Sequence, residues 1–135
     1  MANIKIENGY LFKVALFLER VEKMGAKQSR ARTKLVNSLK EKGKGYVASQ
    51  KAIVENLGGS VGDDGISITF PKGDTTSLAL AQEQLGELDR EVTIIEEEFV
   101  GQFETLKQFF LPWDGEVTSA AAAGYDKFMT IIEEL

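Results

Sequence analysis

The chain is 135 residues long and 43% hydrophobic, with two prolines, which is enough for one soluble globular domain with a core and not comfortably enough for two. It has no histidine and no cysteine, so disulfides, thiolate nucleophiles, thiolate zinc sites, the usual general base and the commonest metal ligand are excluded. The net charge of −5 conceals a division: residues 1 to 60 carry 12 Lys/Arg and 5 Asp/Glu, whereas residues 61 to 135 carry 4 and 16.

Ile4 and Ile6 alternate with Lys5 and Glu7, which predicts a short strand, and Asn8-Gly9 predicts a turn. From Tyr10 to Met24, residues Leu11, Val14, Phe17, Leu18, Val21 and Met24 repeat at helical spacing, with Phe12 and Leu16 widening the stripe. Gly25 is expected to end this helix. A second helix is predicted from Ser29, an N-cap residue, to about Leu57, with a kink, break or mobile segment at Lys42-Gly43-Lys44-Gly45, because two glycines cost helix stability. Gly62-Asp63-Asp64-Gly65 reads as a turn, and the alternation of Ile66 to Phe70 as a strand with one buried face. Thr75 or Thr76 is placed to cap a third helix carrying Leu78, Ala81, Leu85 and Leu88. Glu91 to Ile95, in which Val92, Ile94 and Ile95 are β-branched, reads as a strand. Helices are then predicted over Glu97 to Leu111, with Phe99, Phe103, Leu106 and Phe110 aligned, and over Val117 to Glu134, with Ala120 to Ala123 small enough for close packing. The fold class expected is α+β: one mainly helical domain of about five helices with a small antiparallel sheet of two or three short strands. No apolar run reaches the roughly 18 residues of a membrane span, and no leader is legible, so a cytoplasmic protein without membrane contact is expected.

One stretch stands out. Lys27, Arg30, Arg32 and Lys34 place four cations within eight residues at the start of the second helix, where unsatisfied N–H groups also favour an anion. Ala31, Leu35, Val36 and Leu39 define the apolar side of that helix; Lys27, Arg30 and Lys34 fall opposite, while Arg32 falls inside the apolar arc. A guanidinium there needs a carboxylate from elsewhere in the chain or an anion from outside, and the carboxylate is the simpler reading. The candidate ligand-binding set is therefore Lys27, Ser29, Arg30, Arg32 and Lys34. Trp113, in a loop after Pro112, is a candidate interface anchor.

Other patterns are weaker. Glu96-Glu97-Glu98 diverge around a helix start and read as dipole complements and as partners for Arg32, not as a Mg²⁺ or Ca²⁺ site. Gly58-Gly59-Ser60-Val61-Gly62 lacks the following Lys-Ser/Thr of a phosphate-binding loop. The succession of a helix ending at Gly25 and a basic helix imitates a helix-turn-helix, but overall acidity and the direction of Arg32 weigh against nucleic acid. No metal, cofactor or catalytic residue is expected.

The opening Ile-Lys-Ile-Glu-Asn-Gly-Tyr, the core Ser29-Arg30-Ala31-Arg32-Thr33-Lys34, the segment Glu91 to Ile95 and the C-terminal Gly124-Tyr125-Asp126-Lys127-Phe128 together resemble a family of small proteins of bacteriophages and prophages of Gram-positive bacteria. The resemblance implies phage origin, with the infected bacterial cytoplasm as location, and carries no catalytic activity with it. Two function classes follow as expectations. The first is a non-catalytic accessory protein that antagonises a host process, such as a defence, by holding a small anionic, nucleotide-like ligand or by occluding a host protein. The alternative is a structural or assembly protein of the phage tail module. An enzyme is the least expected class. Apolar stripes on nearly every helix, together with the charge-opposed halves, lead us to expect a homo-oligomer.

Overall fold

A computed structural model describes residues 2–135. Five α-helices and two small antiparallel sheets make an α+β fold. Strand β1 (Asn3–Glu7) leads through a 3₁₀ turn into α1 (Leu11–Arg20) and the long α2 (Ala26–Asn56). A hairpin of β2 (Ser60–Val61) and β3 (Ile68–Thr69) follows, then α3 (Thr75–Arg90), β4 (Val92–Glu96), α4 (Gln102–Phe110) and α5 (Ala122–Glu133).

β1 and β4 pair antiparallel, with Ile4 opposite Ile95 and Ile6 opposite Thr93. The period of two turns Ile4, Ile6 and Ile95 inward, where they join Leu11, Val14, Phe17 and Leu18 of α1, Leu35 and Leu39 of α2, Phe103, Leu106 and Phe110 of α4, and Phe128 and Ile132 of α5 in one core. Val92 and Ile94 point outward and stay exposed. α1 lies between α2 and α5 and makes its main contacts with both. The approach to α5 is close: a Cβ on Gly124 would collide with the backbone of Lys13 and Val14. Of Ala120 to Ala123, expected to allow close packing, only Ala121 is buried; Ala120, Ala122 and Ala123 are exposed, and Gly124 makes the crossing instead.

α2 departs from expectation. It runs unbroken through Gly43 and Gly45, about 46 Å at 1.5 Å per residue. Gly43 is buried, and the ring of Phe12 lies against it where a Cβ would sit, so this glycine admits a close neighbour and does not interrupt the helix. The first part of α2 buries Ala31, Leu35, Val36 and Leu39; beyond Gly43 only Val54 is buried. The distal half thus leaves the core and, with the β2–β3 hairpin and α3, forms an arm. Asn8, itself buried, fastens the root of this arm: its amide donates to the Leu88 carbonyl at 3.0 Å and its carbonyl accepts from Thr93. Tyr46 of α2 donates its hydroxyl to Asp89 of α3, and burial first, then the Asp89 carboxylate, push the phenol well above its ordinary range.

The expected strand Ile66 to Phe70 shortens to Ile68–Thr69 and has no buried face, Ile66 being 82% exposed. The reason is local. The Asp64 carboxylate accepts from the amides of Ile66 and Ser67 at 2.9 and 2.8 Å and from the Ser67 hydroxyl at 2.6 Å, which holds those residues in a turn. These bonds, the Ser67 hydroxyl first, lower the Asp64 pKa to about 2. Its folded pKa lies below its unfolded value, so the turn's contribution is present above pH about 4 and is lost as pH falls through about 2. Carbon-detected NMR titration is expected to place the Asp64 midpoint near 2, and Ser67→Ala to move it back toward the usual carboxylate range.

Other boundaries shift for equally local reasons. α1 stops at Arg20 and the chain reverses through Lys23, which takes a positive φ of 59°. Asp74, not Thr75 or Thr76, caps α3 by accepting from the Ser77 amide at 3.1 Å. α4 begins at Gln102 and not at Glu97, after Gly101 at φ 87°.

The cationic start of helix α2

Gly25 is the N-cap of α2, and the Ser29 amide already donates to the Gly25 carbonyl at 2.9 Å. Ser29 therefore lies one turn inside the helix and does not cap it. No side chain among the described residues bonds the N-terminal turn, so the amides of Ala26, Lys27 and Gln28 carry the positive end of the helix dipole outward.

Lys27, Arg30 and Lys34 are spaced by three and four residues and share one face. All three are exposed, and none forms an ion pair among the described residues. The Arg30 guanidinium lies 5.1 Å from the centre of the Phe99 ring, a cation–π contact that fixes its direction while leaving its N–H edges free. Lys27 stands at the rim of an open cleft of about 470 Å³, shared with Gln28 and with Thr105, Gln108 and Phe109 of α4. Further along the same face Ser38 donates to Glu98 at 3.0 Å, and the next groove is lined by Glu41 and Lys42 of α2 and by Glu96 to Glu98, so acids outnumber cations there.

Arg32 does something else. Its guanidinium turns toward α1 and donates to the backbone carbonyl of Val21, with the Ser29 hydroxyl 3.4 Å from its second nitrogen. In place of the expected carboxylate, which is absent among the described residues, the end of α1 supplies an acceptor: the carbonyl of its C-cap residue Val21, at the negative end of a helix dipole. Arg32 thus joins the two helices, and of the five candidate residues Lys27, Arg30 and Lys34 share the open cationic face. Arg32→Ala is expected to cost about 1.5 kcal/mol and to lower the melting temperature by roughly 5 °C, measured by calorimetry.

The three glutamates divide their duties. Glu97 accepts from the Phe103 amide at 3.1 Å, completing the start of α4, and from the Ala2 amide at 2.9 Å, which is the dipole role anticipated for it. Trp113 is half-buried: its ring lies 5.7 Å from Phe17 and from Phe110 and 5.9 Å from Tyr125, so most of its apolar surface is spent inside the fold. Gln102 had no sequence signal at all. It is 1% exposed, donates to the Ala31 carbonyl at 3.0 Å and accepts from the Glu98 amide at 2.7 Å, and so holds the Phe99–Gly101 link, and with it the Arg30 platform, against α2.

Comparison with protein-family models, with curated proteins and with solved structures finds no match. No helix among the described residues is long and apolar enough to cross a membrane.

Proposed function

We propose that this chain is a non-catalytic accessory protein of a bacteriophage that binds an anionic group, on a nucleotide-like ligand or on a host protein, and thereby antagonises a host process. The observation that carries this reading is the stripe Lys27-Arg30-Lys34: three exposed cations on one helix face, at an uncapped helix start, with Arg30 held on Phe99 and with no internal acid paired to any of them among the described residues. A thermal-shift screen of the wild type and of Arg30→Ala against nucleotides, cyclic nucleotides and inorganic anions tests it, since a ligand of the folded state raises the melting temperature. A rise of several degrees in the wild type and none in the variant is the expected result; an equal rise in both removes the site. Nucleic-acid binding has the weaker claim, because the groove continuing from the stripe is walled by glutamates.

The second reading, a structural protein of the phage tail module, draws on a different observation: Val47, Ile66, Ile68, Leu78 and Leu80 of the arm are left exposed. Mass spectrometry of purified virions decides between the two, since only a tail component is retained there in stoichiometric amount.

A further inference from the structure

The sheet of β1 and β4 ends at β4 in a free edge, and the register fixes which groups lie on it. The Asn8 amide donates to the Glu91 carbonyl at 2.9 Å and the Glu97 amide to the Ala2 carbonyl at 3.1 Å; between these bonds Ile4 faces Ile95 and Ile6 faces Thr93. Bonded and non-bonded pairs alternate along an antiparallel ladder. Thr93 and Ile95 therefore spend their backbone groups on β1, while the N–H and C=O of Val92, Ile94 and Glu96 point off the sheet. None of these three bonds another backbone group among the described residues. Such edges are ordinarily blunted by proline, lysine or a bulge. β4 carries none of the three, and its outward side chains Val92 and Ile94 are 55% and 51% exposed. The free edge of β1 differs: Glu7 is paired with Lys127, and Ile131, Glu134 and Leu135 crowd Asn3 to Lys5 in a cleft of about 190 Å³.

A groove of about 800 Å³ lies between this edge and α2, with Asn37, Ser38, Glu41 and Lys42 on the helix side and residues 94–98 on the other. The two sides are bonded before β4, by Tyr46 to Asp89, and beyond it, by Ser38 to Glu98. The groove thus has the length of the strand, about 17 Å for five residues. The unpaired backbone groups call for an extended occupant, and the charges select which. Four carboxylates, Glu41 and Glu96 to Glu98, stand against one ammonium, Lys42. Glu97 accepts from the Ala2 and Phe103 amides and Glu98 from the Ser38 hydroxyl, neutral donors that leave the charge in place. The described residues form no ion pair to any of the four, and Lys5, opposite Ile94 on β1, is unpaired as well. A second copy of β4 is a poor occupant, because residues 90–98 carry one arginine and four glutamates and would add acid to acid. We infer that β4 accepts, as a third strand, an extended segment of another protein in which basic and apolar residues alternate. Side chains turned toward α2 meet Glu41 and Glu98, where lysine or arginine fits; those turned outward lie beside Val92 and Ile94, where apolar residues fit.

The test is fluorescence anisotropy on the full chain with a labelled peptide of alternating lysine and valine. Two further peptides serve as controls: one with glutamate in place of lysine, and one N-methylated along its backbone, which keeps the charge and loses the donors. Wild type is expected to bind the lysine peptide with micromolar affinity, the N-methylated one about tenfold more weakly and the glutamate peptide not at all. Ile94→Pro removes one outward N–H and leaves the bonds of Thr93 and Ile95 to β1 in place; it is expected to weaken binding about tenfold with circular dichroism unchanged. Glu41→Lys is expected to weaken it roughly fivefold, less so in high salt. Arg30→Ala is expected to have no effect, so this edge and the proposed anion site fail separately. Should Ile94→Pro not fold, hydrogen exchange of the wild type decides: the amides of Val92, Ile94 and Glu96 are expected to become protected when the lysine peptide is added. Absence of binding at high micromolar concentration, equal binding of the N-methylated peptide, or binding that leaves those three amides unprotected overturns the inference; a wild type already dimeric through β4 does so as well.

Discussion

Gly124→Ala is expected to destabilise the protein by about 3 kcal/mol, near the upper end of what overpacking a well-filled contact costs. The added methyl group would not meet a side chain that can turn away. It would meet the carbonyl of Lys13 and the amide of Val14, backbone atoms of the helix that runs through the centre of the core. To admit it, α5 must move off α1 and take Phe128 and Ile132 with it, both of them fully buried. A matched control is available in Gly45→Ala. That glycine is also helical, but a Cβ there meets nothing, so the substitution should gain about 0.5–1 kcal/mol from helix propensity alone. Urea midpoints at unchanged slope measure both, and opposite signs for two identical substitutions are the expected outcome.

Phe17→Ala is expected to cost more, about 4 kcal/mol, of a total stability of roughly 10 kcal/mol for a chain of this length. Phe17 is 1% exposed and touches rings on three segments: Phe110 at 5.8 Å, Trp113 at 5.7 Å, Tyr125 at 5.2 Å and Phe128 at 6.0 Å. The tilted and edge-on arrangements add to simple area burial, and four rigid rings cannot all collapse into the vacated space. Phe12→Ala, five residues earlier and 42% exposed, should cost under about 1 kcal/mol by comparison. Loss of near-ultraviolet circular dichroism around Trp113 would report the same collapse of the cluster for Phe17→Ala and not for Phe12→Ala.

What could be read from the sequence was what periodicity encodes. The stripes of α1, α4 and α5 and the alternation of Ile4 with Ile6 are properties of a few consecutive residues, and the fold class followed from them. What could not be read depended on distant neighbours. Gly43 looks like a helix breaker until Phe12 is seen lying on it. Ser29 has the chemistry of a cap, yet the helix opens four residues earlier, at the extended backbone of Gly25, after the chain has turned at Lys23. The position of Arg32 in the apolar arc calls for a partner, but a guanidinium bonded to a backbone carbonyl at another helix's end leaves no trace in a list of acids. Gln102 and Asn8 are buried polar groups whose partners, Ala31 and Leu88, lie far along the chain. Of the candidate site, the exposed stripe Lys27-Arg30-Lys34 followed from helical spacing; its Phe99 platform did not, since Phe99 lies in an irregular link and not on α4.

The uninterrupted course of α2 has a consequence for local opening. An α-helix with no hinge melts from its free end, one residue at a time, until it reaches a side chain that resists. From Asn56 backward that resistance is slight apart from Val54; it rises at Tyr46, bonded to Asp89, and becomes firm at Gly43, covered by Phe12, and at Leu39 in the core. Amide protons of the distal turns should therefore exchange with solvent through partial unfolding, and those from Leu39 toward Ala31 only through global unfolding, so that a single helix is divided between two cooperative units. The division lies in tertiary cover, at a glycine whose own helical geometry is undisturbed.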